Sequence, residues 1–149
     1  MKLSLLANIK KTHITVGLKA DGLIPITVSN ELGKVTVGPI SLLTLLEAQL
    51  GIPSNEISFT NRLIQYLACV DKADHKDAFY HASYEADPFS VARTLLQWRD
   101  HWFLAGWKGV FEVGVPNKLS DMAEIEKIAA EEVSYGTGQR IQEVIELLD

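Results

Sequence analysis

Cysteine, basic charge and long apolar runs are all scarce in this sequence. The single cysteine, Cys69, excludes a disulfide within the chain and a thiolate metal site. The formal net charge of −5 provides no general attraction to nucleic-acid phosphates or anionic lipids. No apolar run approaches the roughly 20 residues of a membrane-spanning helix. We therefore predict a cytoplasmic protein that does not enter the membrane. One local basic surface stays an alternative, a patch of four lysines: Lys2, Lys10, Lys11 and Lys19.

The hydrophobic pattern of the first 38 residues is typical of β-strands. Four segments rich in Ile, Val, Leu and Thr alternate with polar residues, at 2–7, 13–18, 23–28 and 34–37. The pair Asp21-Gly22 between the second and third segments is a common hairpin turn. This region therefore predicts a small antiparallel meander or two hairpins.

From residue 39 onward the apolar residues recur with the period of a helix. The pattern predicts helices at 40–50, 60–72, 78–84 and 87–106, and two more that follow Ser120 and Gly136. Residues 107–116 form a short extended stretch that could complete the small sheet. We predict an α+β or α/β fold in a single domain over residues 1–149: a β-rich part (1–38), a helical part (39–106), a short strand (107–116) and two helices (118–149).

Residues 87–107 form the most complete helix signal in the chain. Asp87 can cap the first turn, Pro88 suits the first helical position, and Gly106 can end the helix in a left-handed conformation. One face is predicted to be buried: Val91, Ala92, Leu95, Leu96, Trp98, Trp102 and Phe103. The opposite face is predicted to be exposed to solvent: Ser90, Arg93, Gln97, Asp100 and His101. This helix is expected to organise the core.

The turn between residues 34 and 46 lies where a nucleotide-binding unit would have its phosphate loop. Such a loop needs several glycines, followed by a lysine and a serine or threonine. This turn has one glycine, Gly38, followed by Pro39, which has no N–H to donate, and no lysine follows. The sequence therefore predicts no ATP or other cofactor at this corner.

The remaining polar motifs do not define a catalytic or metal site. Asp74-His75-Lys76 matches half of a nuclease motif, but such a short match arises by chance. Asp71, Asp74 and His75 share a helix face, which is more often solvated than metal-binding. His81 and His101 are isolated. We predict no catalytic residue and no metal ligand, although a small hydrolase with a site assembled from distant residues stays open.

Aromatic residues are concentrated between positions 79 and 107. Their helical spacing favours the core for most of them: Phe79, Tyr80, Tyr84, Trp98 and Trp102. Trp107 follows the predicted end of the helix and is the best candidate for a surface position. We therefore predict a possible interaction surface made of Trp107 together with Arg93, Gln97 and His101 from the solvent-exposed face of the helix at 87–106.

Residues 34–109 resemble the amino-terminal region of AddB-like PD-(D/E)XK nuclease family proteins of bacteria. The resemblance is carried by 37–39 (Val-Gly-Pro) with the leucine-rich helix after it, and by 79–83, Asp87-Pro88, 98–100 (Trp-Arg-Asp) and 105–107 (Ala-Gly-Trp). Such proteins are inactivated superfamily I helicases fused to a RecB-like nuclease domain. The matching residues form a packing pattern and include no catalytic signature.

The resemblance implies a non-catalytic scaffold for DNA repair or recombination. The phosphate loop would be degenerate, and the nuclease motif would lie near the far C-terminus, outside these 149 residues. The chain would then be the N-terminal part of a longer protein, which meets DNA and a partner helicase or nuclease subunit. Neither a small-molecule substrate nor a membrane is implied. The alternatives are a stand-alone protein-interaction module that uses the aromatic residues and the small hydrolase mentioned above.

Overall fold

The computed structural model describes residues 13–21, 34–53, 57–111 and 116–148. It has an α+β fold that is mostly helical with a small two-stranded sheet, which confirms the predicted fold class. The chain divides into two compact units, Met1–Ser54 and Asn55–Asp149. The single domain proposed for residues 1–149 stays a prediction.

The first unit contains two short strands and one helix. Strands β1 (His13–Val16) and β2 (Lys34–Val37) pair in parallel, with His13 opposite Lys34 and Val16 opposite Val37. In a four-stranded meander these two strands would not be neighbours, so their direct pairing differs from the predicted arrangement. Residues 17–33 join them and exceed the minimum of about a dozen that a parallel connection requires. The other predicted strands, 2–7 and 23–28, lie outside the described residues.

Helix α1 (Pro39–Leu50) follows β2 after a single residue. Pro39 occupies the first helical position, where its missing N–H leaves no hydrogen bond unmade. The predicted change from strand to helix period at this point is confirmed. The Asp21 carboxylate accepts hydrogen bonds from the first turn of α1. The hairpin turn predicted for Asp21-Gly22 stays a prediction. Gly22 lies outside the described residues.

The second unit is a bundle of five helices within the described residues: α2 (Phe59–Ala73), α3 (His81–Ala86), α4 (Pro88–Leu104), α5 (Asn117–Glu132) and α6 (Thr137–Leu148). Helix α4 contacts α2, α3 and α6, and α2 also contacts α5. The predicted central role of α4 is therefore confirmed. None of the described helices is both long and apolar enough to span a bilayer.

Both ends of α4 follow the predicted capping signals. The Asp87 carboxylate accepts hydrogen bonds from the Ser90 hydroxyl at 2.6 Å and the Ser90 backbone N–H at 3.1 Å, and these hold the pKa of Asp87 below its usual range. At the other end Gly106 has a φ of 91°, which strongly favours glycine. The backbone N–H of Trp107 then donates to the Trp102 carbonyl at 2.9 Å.

Two predicted boundaries differ from the structure. Helix α5 begins at Asn117 rather than after Ser120, because the Pro116 carbonyl accepts from the backbone N–H groups of Leu119 and Ser120. Residues 107–111, predicted as part of a strand, are irregular: the Trp107 indole donates to the Val110 carbonyl at 2.8 Å, which folds this stretch onto itself. Residues 112–115 lie outside the described part.

The bundle encloses a buried ion pair that the sequence did not predict. Arg99 of α4 is fully buried, and its guanidinium donates two hydrogen bonds to Glu126 of α5, at 2.6 and 2.8 Å. It also donates to the Gln139 side chain at 3.1 Å and lies over the Phe103 ring. An arginine can be buried in this way only when its donors are matched.

A second ion pair joins α2 to α4. The Arg62 guanidinium donates two hydrogen bonds to Asp100, at 2.6 and 2.8 Å, and its Nε donates to the Ser134 carbonyl. Asp100, which was predicted to be exposed to solvent, is therefore largely shielded from it. Gly136 lies directly against the pair, since a Cβ there would be 2.7 Å from Arg62 and 2.8 Å from Asp100. This contact explains a glycine just before α6.

Candidate functional site

The corner between β2 and α1 is already occupied by a side chain of the protein. The Asp21 carboxylate accepts hydrogen bonds from the backbone N–H groups of Ile40 and Ser41, both at 2.9 Å, and from the Ser41 hydroxyl at 2.9 Å. These are the free donors with which a helix N-terminus binds a phosphate. In this chain they bind a carboxylate that the same unit supplies.

Gly38 allows Asp21 to approach the corner. A Cβ at Gly38 would lie 2.2 Å from the Asp21 carboxyl carbon and 2.3 Å from the Asp21 backbone nitrogen. The backbone N–H groups of Ile40 and Ser41 hold the pKa of Asp21 below its usual range. Asp21 is therefore ionised at neutral pH, so an incoming phosphate would meet a like charge at this corner. We call Asp21, Gly38, Pro39, Ile40 and Ser41 the capped corner.

The half-motif Asp74-His75-Lys76 is not placed on a sheet. Asp74 ends α2, and its Oδ2 lies 2.8 Å from the Nδ1 of His81. A nuclease motif of this kind places its acids on neighbouring strands, whereas these residues follow a helix within a helical bundle. The local geometry therefore supports the interpretation of this motif as a chance match.

Asp71, Asp74 and His75 each contact a different residue. Asp71 accepts a hydrogen bond from the Tyr84 hydroxyl at 3.3 Å, Asp74 lies against His81, and the His75 Nε2 lies 3.9 Å from Asp121. Burial raises the pKa of Tyr84 to about 12, and the Asp71 charge adds to this rise. Within the described residues, no group of three or more His, Cys, Asp or Glu is placed to hold a metal ion.

His81 has the arrangement closest to an acid–base pair. Its Nδ1 lies against Asp74, and its Nε2 lies 3.6 Å from Glu85. In the described part of the chain no hydroxyl or thiol is hydrogen-bonded to this ring. The buried Cys69 lies elsewhere, and burial raises the pKa of its thiol. A hydrolase of this type would need a nucleophile beside the ring, and none of the described residues supplies one there.

Five aromatic side chains form a row: Phe79 from the turn before α3, Trp98 and Trp102 from α4, and Trp107 and Phe111 from the loop after α4. The rings of Phe79 and Trp98 are nearly parallel, with centroids 6.4 Å apart. Trp102 contacts Trp107 and Phe111 edge-to-face at 5.6 and 5.5 Å. Trp98 and Trp102 are one helical turn apart, so the two groups are neighbours. We call these five residues the aromatic row.

Trp98 is the exposed member of this row. It was predicted to be buried, but 41% of its surface is accessible. The reason is that Arg99 lies within the buried face of α4, so Trp98, about 100° away around the helix axis, reaches only the edge of that face. The sequence could not indicate this shift, because the partner of Arg99 is Glu126 on another helix.

The structure separates the predicted interaction residues into two places. Arg93, Gln97 and His101 are exposed and follow one edge of α4. Trp107 is half-buried, with its ring 4.9 Å from Phe103 and 4.7 Å from Phe111. Trp107 therefore belongs to the aromatic row.

Two hollows flank the aromatic row. One, of about 420 Å³, is lined by Phe79, by residues of α3 and α4 that include Ser83 and Trp98, and by Asp87 between the two helices. The other, of about 400 Å³, is lined by Trp102, Trp107 and Leu119. Both have the mainly apolar walls that suit apolar side chains of a partner.

Comparisons of the chain with protein-family models, with curated proteins and with solved structures found no match. The functional conclusion therefore depends on the capped corner and the aromatic row. Sequence reasoning missed Asp21 at the corner, because it lies 19 residues before Ile40 and no local pattern links the two.

Proposed function

We propose that this chain is the non-catalytic, helicase-like scaffold domain of a bacterial DNA repair or recombination nuclease of the AddB-like type. The observation that carries the proposal is the carboxylate of Asp21 at the N-terminus of α1. In a nucleotide-binding unit a phosphate would occupy that position. A strand-to-helix corner whose anion position is filled by its own side chain is consistent with a helicase-like domain that has lost nucleotide binding.

The arrangement of the first unit supports the same proposal. Two parallel strands with a helix directly after the second are the elements from which nucleotide-binding α/β folds are built. The capped corner lies at the carboxyl end of β2, which is where such folds bind their ligands. The first unit therefore has the elements of a nucleotide site, but the backbone N–H groups that would bind a phosphate already donate to Asp21.

The second unit suits a scaffold because its helices are joined by two ion pairs, one buried and one partly buried. Arg99–Glu126 joins α4 to α5, and Arg62–Asp100 joins α2 to α4. A fixed bundle of this kind can present a surface to a partner helicase or nuclease subunit, and through the full-length protein to DNA. The proposed protein acts in the cytoplasm and takes no small-molecule substrate.

A second candidate function is a stand-alone protein-interaction module. It is favoured by the exposure of Trp98, which is 41%, and by the two apolar hollows beside it. Large aromatic side chains at a surface are common anchors of protein interfaces. This candidate requires no further domains and no DNA.

The nucleotide sequence of the gene separates the two candidates. If the scaffold proposal is correct, the reading frame continues well past the codon for Asp149 and encodes an Asp followed by a (D/E)-x-K signature near its end. A stop codon directly after Asp149 would contradict the scaffold and favour the module.

A nuclease assay provides the biochemical check. With magnesium and linear duplex DNA, we expect no cleavage by these 149 residues, since the acids that resemble a nuclease motif lie at a helix end. Cleavage that is lost in Asp74→Ala and retained in Asp77→Ala, a matched change three residues away, would overturn the non-catalytic proposal.

A further inference from the structure

The hollow beside Trp98 lies where α3 ends and α4 begins. Its volume is about 420 Å³, and its mainly apolar walls include the rings of Phe79, Tyr80 and Trp98. Trp98 is 41% exposed, so its ring can be reached from solvent. Among the described residues that line the hollow, Asp87 alone is charged. The hollow therefore combines aromatic walls with a single negative charge.

The Asp87 carboxylate is ionised and can accept further hydrogen bonds. Donation from the Ser90 hydroxyl and from the Ser90 backbone N–H holds the pKa of Asp87 below its usual range. The two oxygens of a carboxylate offer about four acceptor positions, so the hydrogen bonds from Ser90 do not exhaust them. Asp87 is also exposed to solvent. A donor from outside the chain can therefore reach this carboxylate.

The helix ends beside Asp87 do not reverse the sign of its charge. A helix carries a partial charge of about +0.5 at its N-terminus and about −0.5 at its C-terminus. Helix α3 ends at Ala86 and α4 begins at Pro88, so these two partial charges lie side by side and oppose each other. The full charge of Asp87 outweighs what remains. The hollow is therefore electrostatically suited to a cation.

The cations of the neighbouring helices do not enter the hollow. The ammonium of Lys118 lies over the Phe79 ring, 5.9 Å from its centroid, and does not belong to the lining. Arg93 lies about 140° from Trp98 around α4 and is likewise outside the lining. In the described part of the chain, the cation–ring contacts are made by Phe79 and Phe103. The exposed Trp98 ring therefore stays available to a cation from outside.

We infer that this hollow binds an arginine side chain of a partner protein. Its guanidinium stacks on Trp98 and donates to Asp87, while its methylene groups and a neighbouring apolar side chain fill the remaining space. A guanidinium suits both contacts, because it is flat enough to stack on an aromatic ring and its donors match a carboxylate. The inference rests on the proposed scaffold function, in which the chain holds a partner subunit, and it specifies the chemistry of that partner.

The charge of the hollow disfavours other occupants. A nucleic-acid strand would bring its phosphates towards Asp87, and its binding depends on several cations, which the described lining does not contain. A purely apolar side chain would cover the Asp87 carboxylate without offering it a donor, and the lost hydration would oppose binding. A lysine supplies the charge but not the flat surface that stacks on Trp98.

The test uses the full chain and a displayed library of random peptides about fifteen residues long, the length of a groove-binding helix. We expect the enriched peptides to share an arginine flanked by apolar residues. A fluorescently labelled enriched peptide should lose affinity at least tenfold, about 1.4 kcal/mol, when citrulline replaces this arginine. Citrulline has nearly the same shape and no charge. Lysine at that position should also weaken binding, by a smaller factor.

Variants of the chain with matched controls locate the contact. Asp87→Asn removes the charge and keeps the helix cap, since Asn and Asp cap helices about equally well, and it should lower the affinity about tenfold. Asp77→Asn makes the same change at an exposed residue outside the lining and should not. Trp98→Ser should also weaken binding, whereas Phe89→Ser should not, because Phe89 is 48% exposed but lies about 180° away around α4. Circular dichroism shows whether each variant is folded.

The citrulline peptide links the two halves of the contact. Asp87→Asn should weaken this peptide little further, because both changes remove the same interaction. Equal losses of affinity for the arginine and citrulline peptides in Asp87→Asn would show that the variant acts through folding or capping instead, and would contradict the contact.

Several results would overturn the inference. These are no enrichment, enrichment of peptides without arginine, or unchanged affinity in Asp87→Asn. Tight binding of a labelled single-stranded oligodeoxynucleotide that depends on Trp98 and excludes the peptide would assign the surface to nucleic acid instead. Peptide binding together with a stop codon directly after Asp149 would refute the scaffold and leave the surface intact, and a long reading frame without enrichment would do the reverse.

Discussion

Replacing Glu126 with glutamine is expected to lower the free energy of unfolding by about 3–5 kcal/mol. The Glu126 side chain is 5% accessible and the Arg99 side chain 0%, and the carboxylate accepts two hydrogen bonds from the guanidinium. Glutamine has nearly the same size, so the change removes the charge without opening a cavity. The Arg99 charge is then left buried and uncompensated. Urea unfolding followed by circular dichroism measures the loss.

Glu124→Gln is the matched control on the same helix. Glu124 pairs with Lys127, but both side chains are more than half exposed, so the loss should be at most about 1 kcal/mol. A double variant, Arg99→Met with Glu126→Leu, should recover most of the stability that Glu126→Gln loses, because replacing both buried charges by apolar groups is often neutral. A Glu126→Gln variant as stable as Glu124→Gln would contradict the buried pair.

Replacing Gly138 with alanine is the second change with a large expected effect. A Cβ at Gly138 would lie 2.5 Å from the backbone nitrogen of Leu104 and 2.6 Å from the carbonyl carbon of Phe103. These are backbone atoms of α4, so no side-chain rotation relieves the contact and α6 must move. We expect a loss of about 1–3 kcal/mol, measured as above.

The sign of this effect is diagnostic. Alanine is favoured over glycine within a helix by about 1 kcal/mol, so without the close contact Gly138→Ala would stabilise the protein. Displacement of α6 would also weaken the hydrogen bonds of the Gln142 amide to the carbonyls of Phe103 and Trp107, at 2.7 and 3.0 Å. As a control, Gly106→Ala meets no atom within 4 Å and should lose only the cost of its positive φ, about 1–2 kcal/mol. Increased stability of Gly138→Ala would contradict the proposed packing.

The helices could be predicted from the sequence because their signals are local. The cap at Asp87, the proline at Pro88 and the glycine at Gly106 fixed the ends of α4 to within a few residues. Helix periodicity likewise predicted α1, α2 and α6. The strand pairing was not local: whether β1 pairs in parallel or antiparallel with its neighbour depends on the path of residues 17–33, which alternation along each strand does not encode.

The functional surfaces were predicted only in part, for the same physical reason. The absence of a phosphate loop at Gly38-Pro39 could be predicted from the sequence. The carboxylate that fills the corner could not, because it comes from Asp21, 19 residues before Ile40. The burial of Arg99 and the exposure of Trp98 are linked, and both depend on Glu126 of α5. A hydrophobicity pattern assigns tryptophan to the core, so it placed Trp98 wrongly, and it made no prediction for Arg99.

Calorimetric titration of magnesium ATP into the chain tests the central claim most directly. Because the Asp21 carboxylate holds the N–H groups of Ile40 and Ser41, we predict no saturable binding up to about 1 mM nucleotide. In Asp21→Ala the freed donors should bind inorganic phosphate weakly, which the wild-type chain should not. Micromolar binding of ATP by the wild-type chain that weakens in Ser41→Ala would contradict the account.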